Sequence, residues 1–243
     1  MTQITRRDCL RLAALAAAGT ALGTTTVAAA AEAQPRPPTA KARTVTDYGS
    51  GVLGAWTGLG HTLTTNWATA DVAVVGDSIT NRGWAALNTA LAKIGKTLAV
   101  DGWSGRPTAP AVDALLARPA LPPILVMACG TNDIFSPPGM ITQVQRVKAG
   151  APAKGVEHIL WVDVQCSRWS QTAAVQIADQ RNSGWVNNQI HETIPGQVVP
   201  WAWYFSSAPS RLTTYLEDGV HPKMGTGTEF WRSVLMASIT PLL

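Results

Sequence analysis

From Asp71 onward, short apolar runs alternate with longer segments of helical pattern, and this alternation constrains the fold more than any other feature. The predicted strands span residues 72–75, 97–100, 124–128, 158–164 and 198–203. The predicted helices span residues 84–94, 109–118, 140–148, 172–194 and 226–238. Such alternation predicts a parallel sheet with helices on both faces, and unbroken apolar strands fit a sheet that is covered on both sides. We therefore expect an α/β fold, a three-layer α/β/α sandwich around a five-stranded parallel sheet.

The size and charge of the chain restrict its class. Its 243 residues allow one large domain or two small ones, and 46% hydrophobic residues are typical of a globular protein rather than a disordered one. The net charge is +4, and Arg6, Arg7 and Arg11 against Asp8 account for +2 of it. The remaining sequence has no basic run, so nucleic acid is not an expected partner.

The N-terminus has the three parts of an export signal. Arg6 and Arg7 precede an apolar run rich in alanine, and alanines follow at 28–31 and 33. The pattern resembles a twin-arginine signal, although Cys9 stands where a large apolar residue is more common. The apolar run is too short to span a bilayer comfortably, so a stable membrane anchor is not expected. We predict a signal peptide at residues 1–33 and a secreted or extracytoplasmic protein.

The rest of the chain divides into a linker and one domain. Residues 34–45 are rich in proline and predict a flexible linker. Residues 46–243 are expected to form the folded domain, in which 46–70 is an N-terminal extension that could serve as a lid, a cleft wall or simple packing. The mature chain keeps Cys129 and Cys166, and an oxidising destination permits a disulfide between them, with two buried free thiols as the alternative.

Three short motifs fall at one edge of the predicted sheet. Ser78 follows the first strand in a Gly-Asp-Ser motif, Gly105 follows the second, and Asn132 follows the third in Gly-Thr-Asn-Asp. In open parallel sheets, ligands bind outside the carboxyl ends of the strands. The shared edge therefore indicates a single site that all three motifs would line.

Ser78 is the candidate nucleophile. It lies at a strand-to-helix turn, where its hydroxyl could attack a carbonyl carbon and its backbone N–H could bind the resulting oxyanion. The alternative is that Asp77 or Ser78 only caps the following helix, which is what isolated Asp-Ser pairs usually do.

Gly105 and Asn132 are the candidates for further oxyanion donors. Gly105 has no Cβ and lets a ligand approach the backbone, with Gly102 as a competing candidate and a plain turn residue as the alternative for either. The Asn132 amide could donate to a developing negative charge, or it could bond its own backbone in a turn. We interpret the neighbouring Asp133 as a structural residue that ties this loop to its surroundings.

Asp218 and His221 are the candidates for the acid–base pair, in a loop before the last predicted helix. Their spacing of three residues lets the carboxylate reach Nδ1 of the histidine, which leaves Nε2 for Ser78. The carboxylate would fix the tautomer and stabilise the imidazolium. Together the motifs supply the hydroxyl, base, carboxylate and oxyanion donors that acyl transfer by a serine needs.

This ordered set of motifs resembles the SGNH, or GDSL-type, hydrolase family. The Ser, Gly, Asn and His blocks of that family match Ser78, Gly105, Asn132 and His221, and Asp218 completes the triad. The resemblance spans roughly residues 71–243 and departs from the family pattern in the Ile-Thr pair after the serine. It implies a flavodoxin-like three-layer sandwich and hydrolysis of esters or thioesters without a cofactor or a metal.

Two other enzyme classes fit the sequence less well. An α/β-hydrolase needs G-x-S-x-G at the nucleophile, and the second glycine is missing here. A metal-dependent phosphoesterase could use four ligands, but two-metal sites usually need several histidines. The four ligands would be Asp77, Asp133, Asp218 and His221, while the other histidines are predicted to lie elsewhere: His61 in the extension, His158 at the opposite sheet edge and His191 within a helix.

The substrate class stays open at this level. If a sugar hydroxyl replaces water as the acceptor, the same site becomes an O-acyltransferase, and extracytoplasmic members of the resembled family include domains that act on acetylated cell-wall or plant polysaccharides. Trp103 and Trp169 follow strands and could border the cleft, where aromatic faces stack on sugars or line an acyl pocket. Trp161 and Trp203 are predicted to pack in core strands. A non-catalytic binding module would have lost one of the groups above, and none is missing. We expect a monomer acting on a small-molecule or polysaccharide ester.

Overall fold

A six-stranded sheet forms the centre of the described part of the protein. The computed structural model describes residues 60–135 and 137–243, so the predicted signal peptide, the linker and most of the extension lie outside the described residues. The strands are β1 His61–Leu63, β2 Val72–Gly76, β3 Leu98–Trp103, β4 Ile124–Ala128, β5 His158–Val162 and β6 Val198–Val199. Their order across the sheet is β1-β3-β2-β4-β5-β6.

Strands β2 to β6 run parallel, and the sheet extends beyond them by one antiparallel edge strand, β1, which pairs with β3. The parallel strands confirm the predicted α/β architecture. Both β2 and β4 are buried along their whole length, which explains why their sequences are unbroken apolar runs. The edge strand was not predicted, because three residues are too few to show a strand alternation.

Two layers of helices cover the sheet. The helices are α1 Ser78–Ala92, α2 Thr108–Leu116, α3 Met140–Gly150, α4 Ala173–Thr193, α5 Trp201–Ser206, α6 Ser210–Tyr215 and α7 Thr226–Ile239. Helix α1 packs on α7, whereas α2, α3 and α4 pack on one another in series. Right-handed crossovers between parallel strands place these two groups on opposite faces, which completes the three-layer sandwich. In the described part of the chain, no helix combines the length and the apolar character needed to cross a membrane.

The predicted strand at 198–203 is wrong beyond its first two residues. The strand stops at Val199, because Pro200 has no N–H for the ladder and α5 begins at the next residue. The carboxylate of Asp163, the residue after β5, accepts the backbone N–H of Ala202 at 2.5 Å and holds the first turn of this helix. Trp203 is therefore a half-buried helix residue rather than a core strand residue.

The interior packs around tryptophan side chains and contains both cysteines of the predicted mature chain. Trp161 is fully buried in β5, as predicted, and its Nε1–H donates to the Cys129 carbonyl at 2.9 Å. Cys129 and Cys166 are buried free thiols, so the alternative without a disulfide is the observed one. Burial raises the pKa of both thiols well above the usual value, which makes them unreactive as nucleophiles.

Candidate active site

The turn between β2 and α1 presents Ser78 at the carboxyl edge of the sheet. Strand β2 ends at Gly76 and α1 begins at Ser78, so one residue, Asp77, makes the turn. Asp77 Oδ1 accepts the N–H of Ile79 at 3.0 Å and caps the helix. Ser78 then occupies the first helical position, whose N–H has no acceptor inside the helix. The capping role belongs to Asp77, and the Ser78 hydroxyl is free to face the cleft.

His221 connects Ser78 with Asp218 through two short hydrogen bonds. Ser78 Oγ lies 2.9 Å from His221 Nε2, and His221 Nδ1 lies 2.7 Å from Asp218 Oδ2. The other carboxylate oxygen, Oδ1, accepts the backbone N–H groups of Val220 at 3.0 Å and His221 at 2.8 Å. One carboxylate therefore shapes the turn that carries the histidine and orients its ring as well.

Two carboxyl groups of this site have opposite pKa shifts. Partial burial raises the pKa of Asp218, but hydrogen bonds from the His221 side chain and backbone lower it by more, so the pKa lies well below the usual value. Complete burial raises the pKa of Asp77 to about 6, against the lowering effect of the bond from Ile79 and the nearby His221. Asp218 is therefore ionised and able to stabilise an imidazolium, whereas the pKa of Asp77 lies above the usual range of a carboxyl group.

A second loop, which follows β5, holds the turn that carries His221. The backbone N–H of Ser167 donates to the Gly219 carbonyl at 3.1 Å, and that of Trp169 donates to the Asp218 carbonyl at 3.0 Å. Gly219 has φ +88°, and a Cβ built there would lie 1.8 Å from the Ser167 carbonyl oxygen. Only glycine fits this contact, because a side chain would meet both an unfavourable φ and a fixed carbonyl.

Gly105 lines the cleft, and its competitor Gly102 does not. Gly102 lies within β3, where it pairs with Gly76 of β2. Gly105 lies in the following loop with φ +76°, a left-handed conformation that favours glycine. Among the described residues, the backbone N–H groups of Ser78 and Gly105 have no hydrogen-bond acceptor. Both are available to a ligand.

Asn132 lies beside these two donors on a short 3-10 turn, Thr131–Phe135, that follows β4. Its side chain is buried, and Nδ2 makes only long contacts, 3.3 Å to the Arg106 carbonyl and 3.4 Å to Asp77 Oδ2. The neighbouring Asp133 accepts the N–H and the hydroxyl of Thr108 at 3.0 and 2.7 Å. Asp133 thus ties this turn to the start of α2, which agrees with its structural interpretation.

These groups line a cleft of about 500 Å³ at the carboxyl edge of the sheet. Its wall also contains side chains that the sequence analysis did not select: Phe135, Arg82 and Arg168. The Arg168 guanidinium is fixed by the buried Asp179, at 2.8 Å, and lies 5.0 Å from the centre of the Phe135 ring. No sequence motif marks these residues, because their positions depend on how helix α1 meets the segments that follow β4 and β5.

Neither Trp103 nor Trp169 is among the described residues that line this cleft. The Trp103 ring stacks on His61 of β1, with 4.2 Å between ring centroids. The Trp169 ring packs partly buried against the core, and its Nε1 lies close to the backbone of Gly219. The Trp103 ring is thus engaged by an edge strand that was not predicted, and the Trp169 ring lies against the turn that carries His221.

The four residues considered as metal ligands, Asp77, Asp133, Asp218 and His221, make hydrogen bonds within the protein instead. Asp77 and Asp133 accept backbone N–H groups, and Asp218 bonds His221. Within residues 60–135 and 137–243, no group of three or more His, Cys, Asp or Glu side chains is arranged to hold a metal ion.

Comparison with known proteins gives matches to solved structures. No protein-family model matches the sequence, and no curated protein matches it. The chain is similar to TesA, with 26% identity and a TM-score of 0.50 over 71% of this chain and 99% of that one. It is also similar to a variant of Axe2, an acetyl xylan esterase from Geobacillus stearothermophilus, with 15% identity and a TM-score of 0.53 over 71% of this chain and 95% of that one.

A third similar structure is the C-terminal catalytic domain of Streptococcus pneumoniae peptidoglycan O-acetyltransferase A, with 18% identity and a TM-score of 0.52 over 72% of this chain and 94% of that domain. The second and third likenesses concern the fold, because their sequence identities are low. The order of strands and the three-layer arrangement agree with this result. The chain therefore has the SGNH hydrolase fold that its motifs predict.

Proposed function

We propose that the protein is an exported serine esterase that hydrolyses carboxylic esters through an acyl-enzyme on Ser78. The observation that carries the proposal is the hydrogen-bonded series from Ser78 Oγ to His221 Nε2, at 2.9 Å, and from His221 Nδ1 to Asp218, at 2.7 Å. A hydroxyl, an imidazole and an ionised carboxylate in this order form the arrangement that activates a serine.

The first half of the reaction forms the acyl-enzyme. Ser78 Oγ attacks the acyl carbon while its proton passes to His221 Nε2, and Asp218 stabilises the imidazolium that forms. The tetrahedral intermediate then collapses. Its bond to the alcohol oxygen breaks, and His221 gives the proton to that oxygen, so the alcohol leaves and the acyl group stays on Ser78.

The second half releases the acid. Water gives a proton to His221 Nε2 and attacks the acyl carbon, and His221 then returns the proton to Ser78 Oγ as the acid departs. In both halves the oxyanion would accept hydrogen bonds from the N–H groups of Ser78 and Gly105 and from the Asn132 amide. The two backbone groups lack other acceptors among the described residues, and the bonds of Asn132 are long enough to be exchanged.

An O-acetylesterase or O-acyltransferase acting on a carbohydrate is the second candidate. In the transferase, a sugar hydroxyl replaces water in the second half-reaction, and every other step is the same. The fold likeness to an acetyl xylan esterase and to a peptidoglycan O-acetyltransferase domain favours this candidate. So does the open cleft, whose wall mixes the apolar Phe135 with polar side chains, including Asn81 and Ser104, that could bind hydroxyl groups.

A substrate panel tests the proposal. The purified protein is assayed on p-nitrophenyl esters of increasing acyl length and on acetylated oligosaccharides, with and without an added sugar acceptor. We expect ester cleavage that Ser78→Ala abolishes. A steep preference for acetylated sugars supports the carbohydrate candidate, and acetylated acceptor as the product supports transfer. Full activity in Ser78→Ala rules out the serine mechanism.

The proposal of export rests on the N-terminal sequence pattern at residues 1–33. We expect the mature chain outside the cytoplasm of a producing bacterium, beginning after Ala30, Ala31 or Ala33, and monomeric in solution. Replacing Arg6 and Arg7 by lysine tests the signal. Unchanged export of the variant would contradict the twin-arginine assignment.

A further inference from the structure

Arg106 is a buried charged residue directly beside the proposed oxyanion hole. It follows Gly105 in the chain, and its side chain is only 2% exposed. Its guanidinium makes three hydrogen bonds: Nη1 to Asp101 Oδ1 at 2.9 Å, and Nη2 to the carbonyls of Asp101 at 2.7 Å and Gly76 at 3.1 Å. Gly76 ends the strand that leads to Ser78. The side chain of Arg106 therefore joins the carboxyl ends of β2 and β3.

The backbone of Arg106 contacts the other oxyanion elements. Its carbonyl accepts a hydrogen bond from Asn132 Nδ2 at 3.3 Å. Its N–H donates to the Trp103 carbonyl at 3.1 Å and closes the turn in which Gly105 lies. One residue thus touches the strand end before Ser78, the turn that contains Gly105, and the side chain of Asn132.

The energetics of this arrangement favour a role beyond stability. A buried ion pair is weak evidence of stabilisation, because removing both charges from water costs about as much as their attraction returns. The planar guanidinium does provide several hydrogen bonds in one fixed orientation, which the ammonium group of lysine cannot reproduce. The arrangement therefore suits a residue that fixes geometry.

We propose that Arg106 is a positioning residue for the oxyanion hole: its guanidinium, fixed on Asp101 and Gly76, sets the places of the Gly105 N–H and the Asn132 amide. This inference rests on the proposed function, since it needs an oxyanion to form at Ser78. It adds a buried residue that does not itself contact the substrate.

The chain offers a matched control for this proposal. Arg118 Nη2 bonds the other oxygen of the same carboxylate, Asp101 Oδ2, at 3.0 Å, and its guanidinium lies over the Trp67 ring. In the described residues it has no contact with Gly76 or Asn132. Arg118→Ala therefore disturbs the same buried carboxylate and leaves the proposed positioning contacts in place.

The test compares kcat, KM and the melting temperature of Arg106→Lys, Arg118→Ala and the wild type on a short-chain p-nitrophenyl ester. We expect Arg106→Lys to lower kcat at least about 10-fold with little change in KM, because displaced donors affect the transition state more than the ground state. Arg118→Ala should keep a kcat near the wild-type value, even if its melting temperature falls by as much as that of Arg106→Lys. Equal kcat in the two variants overturns the proposal.

A double variant separates positioning from general loosening. In the Asn132→Ala variant one of the positioned donors is already absent. Adding Arg106→Lys to that variant should therefore lower kcat by a smaller factor than adding it to the wild type. The same factor in both backgrounds overturns the proposal. If Arg106→Lys does not fold, Asp101→Asn replaces it, with Arg118→Ala again as control. Activity that survives in Ser78→Ala would instead refute the proposed function.

Discussion

Replacing Gly219 by alanine should reduce both stability and activity, because this glycine lies between Asp218 and the backbone of the loop after β5. Its φ is +88°, and an added Cβ would lie 1.8 Å from the Ser167 carbonyl oxygen and 2.7 Å from Trp169 Nε1. The closer of the two is a backbone atom, which cannot move aside unless its loop moves with it. The clash can be relieved only by separating the turn that carries His221 from this loop.

The magnitude follows from a comparison with Gly95, which has φ +72° and nothing within 4 Å of an added Cβ. Gly95→Ala should lower the free energy of unfolding by about 1 kcal/mol. This value is the strain of a non-glycine residue in the left-handed conformation minus the gain from a less flexible unfolded chain. Gly219→Ala adds about 1–3 kcal/mol for overpacking and about 1 kcal/mol for the lost hydrogen bond from Ser167. The total of about 3–5 kcal/mol corresponds to a melting temperature lower by about 6–20 °C for a domain of this size.

The assay measures thermal unfolding and ester hydrolysis for both variants. A shift of about 1 Å in the turn would move His221 away from Ser78 and lower kcat/KM about 100-fold in Gly219→Ala. Gly95→Ala, at the far end of α1, should keep the wild-type value. If the two variants have the same melting temperature and both keep full activity, the steric argument for Gly219 is refuted.

Three further changes test separate parts of the site. Asn132→Ala should lower kcat about 100-fold or more with a smaller effect on KM, and a wild-type rate in steady-state assays would remove Asn132 from the oxyanion hole. Asp218→Asn should lower kcat by about 10⁴-fold by leaving the wrong tautomer of His221, while His158→Asn at the opposite sheet edge should leave the rate unchanged. Because burial raises the pKa of Asp77 to about 6, ionising it destabilises the fold. Relative to Asp77→Asn, the wild type should lose about 3 kcal/mol of unfolding free energy as the pH rises from about 3 to about 7. A difference that does not vary with pH in urea titrations would show that Asp77 does not titrate there.

The location of the site could be predicted because it depends on topology. Parallel strands bring their carboxyl ends to one edge, so Ser78, Gly105 and Asn132 were expected together once their strands were identified. The reach of Asp218 to His221 follows from a spacing of three residues in a turn. These inferences need only the chain direction and the local backbone.

Other features depend on side-chain packing and could not be predicted. The apolar run at 198–203 fits a strand or a helix equally well by its sequence pattern. A helix forms here because Pro200 ends the strand and the Asp163 carboxylate holds the first helical turn. Trp103 follows a predicted strand and was therefore expected to border the cleft, but its ring stacks on His61 of an edge strand that has no sequence signal. Long-range contacts of this kind leave no local pattern.

The two cysteines illustrate the same limit. Both follow neighbouring strands, so a disulfide between Cys129 and Cys166 was as plausible as two thiols. The Cys129 thiol lies 3.6 Å from the Val75 carbonyl in the sheet, whereas Cys166 lines the cleft. Their directions are set by the packing of each loop, which the spacing along the chain does not encode.

The central claim is that Ser78 is the nucleophile, and covalent trapping tests it most directly. The protein is treated with an organophosphonate that reacts with activated serines, and the adduct is located by peptide mass spectrometry while residual esterase activity is followed. We expect one adduct, on Ser78, that forms in step with the loss of activity and is absent from Ser78→Ala. An adduct elsewhere, or full activity in protein labelled on Ser78, would contradict the account.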